Sequence, residues 1–234
     1  ATTLTNMAQS DYSIQQESLE RVSEDYVFSA KGLREMTLQR MEQLFVRHHP
    51  RGLAPPDLDK RCALWNEVGL SLTENFDGSA AVLIDSVKNK SAPALVQVLI
   101  DNFPGFRDFD DNLYLLKRAQ ICVADWNASL KLDLNDMDQL TTFADYRVPQ
   151  LLRHCNVLVY SDELAQNVDA KQELDHHEER AVRACTVAAV EYLVDSTTRT
   201  WNAVTVDWYL WQVGERMQKQ GILKAHHRVR TIFY

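Results

Sequence analysis

This 234-residue chain has only seven glycines and six prolines, the strongest local breakers of regular structure. An all-β domain needs a turn signal about every 8–12 residues, which so few turn formers do not supply. The chain therefore reads as helices joined by few loops, and its hydrophobic periodicity agrees. Leu38, Met41, Leu44 and Phe45 form a stripe at spacings of three and four within residues 37–46. Pro50, Gly52, Pro55 and Pro56 then break it, and a helix with an acidic first turn is predicted from Pro56 to Leu72. Two more helices are expected over 78–89 and 91–103, the second capped by Ser91 with Pro93 early in it. A strongly apolar helix is expected over 113–130, with Leu115, Ala119, Cys122 and Trp126 along one stripe, and a short one over 133–143. A long helix over about 172–198 carries Val182, Cys185, Ala189, Tyr192 and Leu193, an aromatic-rich one covers 201–217, and the tail from His226 is expected to be extended. A helix near 14–22 would lie in a loosely ordered N-terminal segment, residues 1–30. No repeat or interdomain linker is visible, so the expectation is one all-α domain over 1–234.

Composition narrows the function. The net charge is −8, where a protein that grips polymeric nucleic acid is usually basic. A local basic pocket for a single phosphate remains open. No signal peptide is visible and no apolar run reaches membrane-span length, so a cytoplasmic protein without a membrane partner is expected. Cys62, Cys122, Cys155 and Cys185 are far apart in apolar helical contexts and read as reduced core thiols. Three His-His pairs occur (His48–His49, His176–His177 and His226–His227), but there is no HExxH, and no Cys/His spacing fits a zinc template. Neither a metal nor a cofactor is expected. The absence of GxGxxG, Walker and GxSxG motifs disfavours dinucleotide, P-loop and α/β-hydrolase chemistry.

The chemistry-bearing residues gather in three places. In TTFADYRVPQLLRH (141–154) an acid, a phenol and a guanidinium sit between apolar runs. Pro149 belongs in a first helical turn, so Asp145 lies at or just before a helix N-terminus, where the dipole favours its ionised form. A plain helix cap accounts for such a residue, as does a carboxylate held beside a developing cation. Phe143 and Tyr146 could stack on a ring, and Arg147 could meet an anion. Lys117 and Arg118 are adjacent cations inside the most apolar helix, so one of them must lie near its buried side. That fits either a snorkelling lysine or an anion contact. Asp125, eight residues on, lies on a neighbouring strip. In VDWYLWQVG (206–214), Asp207 sits among Trp208, Tyr209 and Trp211, which reads either as core or as a group recognising the edge of a heterocycle. Arg228 and Arg230 follow in the tail.

Six stretches occur in an order that carries a family resemblance: FPGFRD (103–108), YLLKRAQICVADW (114–126), FADYRVPQLLRHCNVLVYSDEL (143–164), RACTVAAVEYL (183–193), VDWYLWQVG and HHRVRTIFY (226–234). Together they resemble the queuosine salvage protein family, strongly from about residue 100 and loosely from about 25 to 100. The resemblance implies a helical fold related to helix-hairpin-helix DNA glycosylases. It also implies hydrolysis of the N-glycosidic bond of queuosine 5′-monophosphate, releasing queuine for tRNA modification. On that basis Asp145 is the catalytic carboxylate, facing an oxocarbenium-like state. Lys117 binds substrate, Phe143, Tyr146 and Arg147 help position it, and Asp207 and Tyr209 are further substrate-binding residues. Family members carry more chain at the N-terminus, so an N-terminal segment or a partner chain completing the site is part of the expectation. A non-catalytic binding or scaffold protein that retains the fold is the alternative class.

Overall fold

The computed structural model describes residues 24–109, 113–196 and 201–233. The helix expected near 14–22 lies outside them. Eleven α-helices follow in order among the described residues: α1 (Glu24–Val27), α2 (Ala30–Arg34), α3 (Leu38–His48), α4 (Leu58–Asn75), α5 (Ala80–Asp85), α6 (Ala92–Asn102), α7 (Lys117–Leu130), α8 (Arg147–His154), α9 (Asp162–Asp169), α10 (His176–Ser196) and α11 (Ala203–Lys219). Single 3-10 turns stand at Pro104–Phe106 and Met137–Gln139, the second within the short helix expected over 133–143. Extended pairing among these residues is confined to three isolated bridges, so the fold is all-α. No described helix is long and apolar enough to cross a membrane.

Besides a small cluster of Met36, Met41 and Cys62, two apolar cores form among the described residues. The larger joins α4, α5, α6 and α7 through Leu72, Leu83, Leu95, Leu99, Val123 and Trp126, and takes in Phe143 and Val204. The smaller joins α8, α10 and α11 through Val148, Leu152, Val190, Ala203 and Val206. Residues 143–148 therefore run from one core into the other, and α11 contributes to both. The acid-phenol-guanidinium stretch lies at that seam, which is why it is flanked by apolar residues on both sides.

Four expectations need correction. The apolar helix begins at Lys117, not Leu113. The backbone N–H groups of Leu115 and Leu116 both donate to the Asp108 carbonyl at 3.0 Å, and Leu116 is left-handed at φ 50°, so helical hydrogen bonding starts only after it. The long helix starts at His176, not Gln172, because Leu174 N donates to Arg228 O at 2.7 Å and Glu173 bridges the tail. Residues 197 and 198, its expected end, lie outside the described residues. Its buried face is Glu179, Val182, Arg183, Thr186 and Val190, rotated from the expected stripe, and Tyr192 is exposed. The same rotation exposes Cys185. Cys155 is also exposed, as the residue just past α8, so only Cys62 and Cys122 are core thiols. None of the four cysteines is in a disulfide.

Helix α2 crosses α4 so closely that a Cβ on Gly69 would stand 2.2 Å from Arg34 N. The start of α11, which carries Asp207, is capped by Asn202, whose Oδ1 accepts from Thr205 N at 2.9 Å. Asn202→Ala is expected to lower stability by about 1 kcal/mol, read as an earlier urea midpoint at unchanged slope.

Candidate active site

The site is built from three buried carboxylates and two cations at the seam. Asp145 is 8% exposed, and its Oδ1 accepts from Arg147 N at 2.7 Å and Val148 N at 3.1 Å. Those are the first N–H groups of α8, so the capping expected of this residue is present. Among the described residues no donor reaches its second oxygen. Burial raises the Asp145 pKa above the usual carboxylate range, against the two N–H bonds and the charges of Lys117 and Arg147.

Asp207 enters from α11, 4% exposed. Its Oδ1 accepts the Thr142 hydroxyl at 2.5 Å and Phe143 N at 2.9 Å. It thereby fixes the start of the strip that carries Asp145. Burial pushes its pKa up to about 6, and the nearby Asp145 charge adds to the rise. The charge of Asp145 is thus felt at Asp207. Lys117, at the start of α7, is felt by both acids. Burial lowers its pKa, the charges of Asp145 and Asp207 raise it, and those of Arg183 and Arg118 lower it. Its ammonium makes no ion pair or hydrogen bond among the described residues.

Lys117 also lines a cavity of about 300 Å³. Arg118, Ile121 and Asp125 share its α7 wall; Lys60, Arg61 and Trp65 come from α4, Phe45 from α3, and Thr231 and Ile232 from the tail. The tail is held there by Arg118, which donates to Ile232 O at 3.1 Å and Gly105 O at 3.2 Å. Burial raises the Asp125 pKa. With Asp57 also in its lining, the cavity offers cations, two acids and two aromatic faces, at the lower end of the size range of small-ligand pockets. Asp145 and Asp207 are not part of its lining.

Residues 3–234 match the family described as queuosine salvage protein. The chain belongs to that family. It is 38% identical over 220 residues to the queuosine 5′-phosphate N-glycosylase/hydrolase of Dictyostelium discoideum, covering 88% of this chain and 66% of that protein. It is 38% identical over 192 residues to the protein of the same name from Sphaerobacter thermophilus, covering 76% and 58%. The bovine protein of that name is 33% identical over 215 residues, covering 81% and 62%. The chain therefore spans less than two thirds of the length of these relatives.

In this queuosine salvage chain the remaining expected site residues divide. Tyr146 is half-buried, packs on His226 at 4.7 Å between centroids and lies under the Arg147 guanidinium at 5.4 Å. Arg147 is committed to α11, its Nε donating to Glu215 Oε1 at 2.6 Å and its Nη1 to Gln150. Gly214 makes room for this arginine, since a Cβ there would stand 3.0 Å from its side-chain carbons. Phe143 is 2% exposed and belongs to the larger core. Tyr209 is two residues from Asp207, on another face of α11, 55% exposed and packed on Trp201 at 5.8 Å. Lys117, Asp145 and Asp207 are thus brought into one charge cluster with Tyr146 at its edge, whereas Tyr209 is outside it.

Two residues that the sequence reading did not single out complete the cluster. Asp108, 0% exposed, accepts from Lys117 N at 3.2 Å, and Arg183, 1% exposed, pairs with Asp108. The signal available in the sequence was an arginine on the buried phase of a Val/Ala-rich helix, where an unpaired charge is not tolerated.

Proposed function

We propose that this chain hydrolyses the N-glycosidic bond of queuosine 5′-monophosphate and releases queuine, a reading supported by relatives named queuosine 5′-phosphate N-glycosylase/hydrolase. The observation that carries this reading is the Lys117 ammonium, set in a cavity wall with no ion pair or hydrogen bond among the described residues and within reach of the charges of Asp145 and Asp207. A half-buried cation without a hydrogen-bonding partner is well placed to meet a negative group, and a nucleotide phosphate is such a group. Asp145 supplies the fixed negative charge for the oxocarbenium-like ribose and a free oxygen to align or deprotonate water. Asp207, with its raised pKa, is the partner that shares or holds a proton. Trp65 and Phe45 offer faces for a flat ring. A single mononucleotide as substrate is compatible with a net charge of −8. No metal or cofactor has a part in this scheme.

Asp145 and Asp207 lie off the cavity lining, and the relatives are longer. Both facts favour a second reading, in which this stretch of chain binds the nucleotide and further chain completes the catalytic pocket. Incubation with queuosine 5′-monophosphate and chromatographic assay of free queuine separates the two. Queuine release supports the hydrolase; saturable binding without release supports the second reading; neither outcome would remove both.

Lys117→Ala is expected to weaken nucleotide binding by about ten- to a hundredfold, the worth of one hydrogen bond to a charged group. It should change binding of the dephosphorylated nucleoside much less. Titration calorimetry with both ligands checks this, and equal losses for the two would take the phosphate away from Lys117.

A further inference from the structure

Arg183 has no part in the chemistry proposed above, yet it touches both halves of it. Its Nε donates to Ala144 O at 2.9 Å, the carbonyl of the residue just before Asp145. Its Nη1 and Nη2 donate to the two carboxylate oxygens of Asp108 at 3.0 and 2.5 Å. Glu179, one turn back on α10, lies 3.4 Å from Nη1. Asp108 carries the constraint onward. Its Oδ2 accepts from Lys117 N at 3.2 Å, and its carbonyl takes the N–H groups of Leu115 and Leu116. Those bonds decide where α7 begins, and so where Lys117 stands. One guanidinium therefore holds the backbone that carries Asp145 on one side and the anchor of Lys117 on the other.

Stability alone is a poor reason for such a group. Burying an arginine–aspartate pair costs desolvation that an apolar pair would avoid. What the guanidinium uniquely supplies is a rigid planar fork that reaches a carbonyl and a carboxylate at once, which a lysine cannot do. We infer that Arg183 is a positioning residue that sets the separation of the Asp145 carboxylate and the Lys117 ammonium by clamping the backbone that carries each. This rests on the reading of those two groups as the working pair.

The test measures that separation through charge. The groups whose charges reach Lys117 are Asp145, Asp207, Arg183 and Arg118, with Asp125 further along α7. Arg183→Lys keeps the charge at position 183, so a change in coupling reports geometry. The Lys117 ionisation is followed by NMR of carbon-13-labelled lysine, with and without Asp145→Asn, in the parent and in Arg183→Lys. In the parent, Asp145→Asn is expected to lower the Lys117 midpoint; in Arg183→Lys the same replacement is expected to lower it by less than half as much. Equal effects in the two backgrounds overturn the inference. Where Arg183→Lys does not fold, Asp108→Asn is read the same way, since it keeps an acceptor for Lys117 N while loosening the grip on the guanidinium. In parallel, kcat on queuosine 5′-monophosphate is expected to fall about tenfold in Arg183→Lys with KM little changed. A residue that only stabilised the fold would lower the melting temperature and leave both the coupling and kcat of the folded protein unchanged. A parent without hydrolytic activity whose coupling still shrinks keeps the clamp and removes the catalytic reading. An active parent with unchanged coupling does the reverse.

Discussion

Replacing Asp145 with asparagine is expected to cut queuine release from queuosine 5′-monophosphate by about a hundredfold or more. A preorganised charge facing a developing cation is worth a few kcal/mol, and about 2.7 kcal/mol is a hundredfold in rate. Stability should be unchanged or higher. The amide oxygen can accept from Arg147 N and Val148 N as Oδ1 does, and asparagine caps a helix as well as aspartate. The ionised carboxylate is also disfavoured where it stands, because burial raises its pKa. A residue kept only as a helix cap would show no rate loss on this exchange. The measurement is single-turnover release of queuine alongside a thermal melt. A variant as fast as the parent would take Asp145 out of the mechanism, and a slow variant that has also unfolded would leave it only a structural role.

The helices were legible because period-3.6 patterning and capping residues are local signals. Leu38–His48 and Ala92–Asn102 form close to where Leu38, Met41, Phe45, Ser91 and Pro93 predicted. The boundaries that differed were set by partners far along the chain. Asp108 decides where α7 starts, and Arg228 takes the backbone that would have begun α10 earlier. Neither bond can be seen in a window of ten residues. The candidate site divides in the same way. Asp145 was legible from Pro149 and the apolar runs around it. Lys117 was legible as a charge in an apolar helix, though which of the Lys117–Arg118 pair stood alone was not. Arg147 and Tyr209 read as ligand groups from their motifs, whereas the structure commits the first to Glu215 and turns the second outward. Which way a side chain on α11 faces depends on the phase of that helix against the 142–148 strip and α8, where Asp207, Gly214 and Glu215 make their contacts.

Asp207→Asn is expected to raise stability at neutral pH by about 3 kcal/mol and to flatten the pH dependence of folding between about pH 4 and pH 6. In the folded chain the Asp207 pKa stands at about 6, against an ordinary value of 3.8. The folded state therefore holds the proton more tightly than the unfolded state. Below the ordinary value both states are protonated and the fold bears no cost for a buried charge at this position. As pH rises from there, the unfolded chain releases its proton first and stability falls. The loss is complete once pH has passed the folded value, and a gap of that size is worth about 3 kcal/mol. Asparagine keeps an oxygen for the Thr142 hydroxyl and Phe143 N, so the anchor of the Asp145 strip survives while the titration disappears. Urea midpoints measured across pH 4 to 8 on parent and variant decide it. Because Asp145 adds to the rise at Asp207, Asp145→Asn should flatten the same window in part, and Asp207→Asn should flatten it further. Parallel pH profiles for parent and both variants would mean that the two carboxylates are not a coupled buried pair. The electrostatic basis for dividing acid and anion roles between them would then be gone.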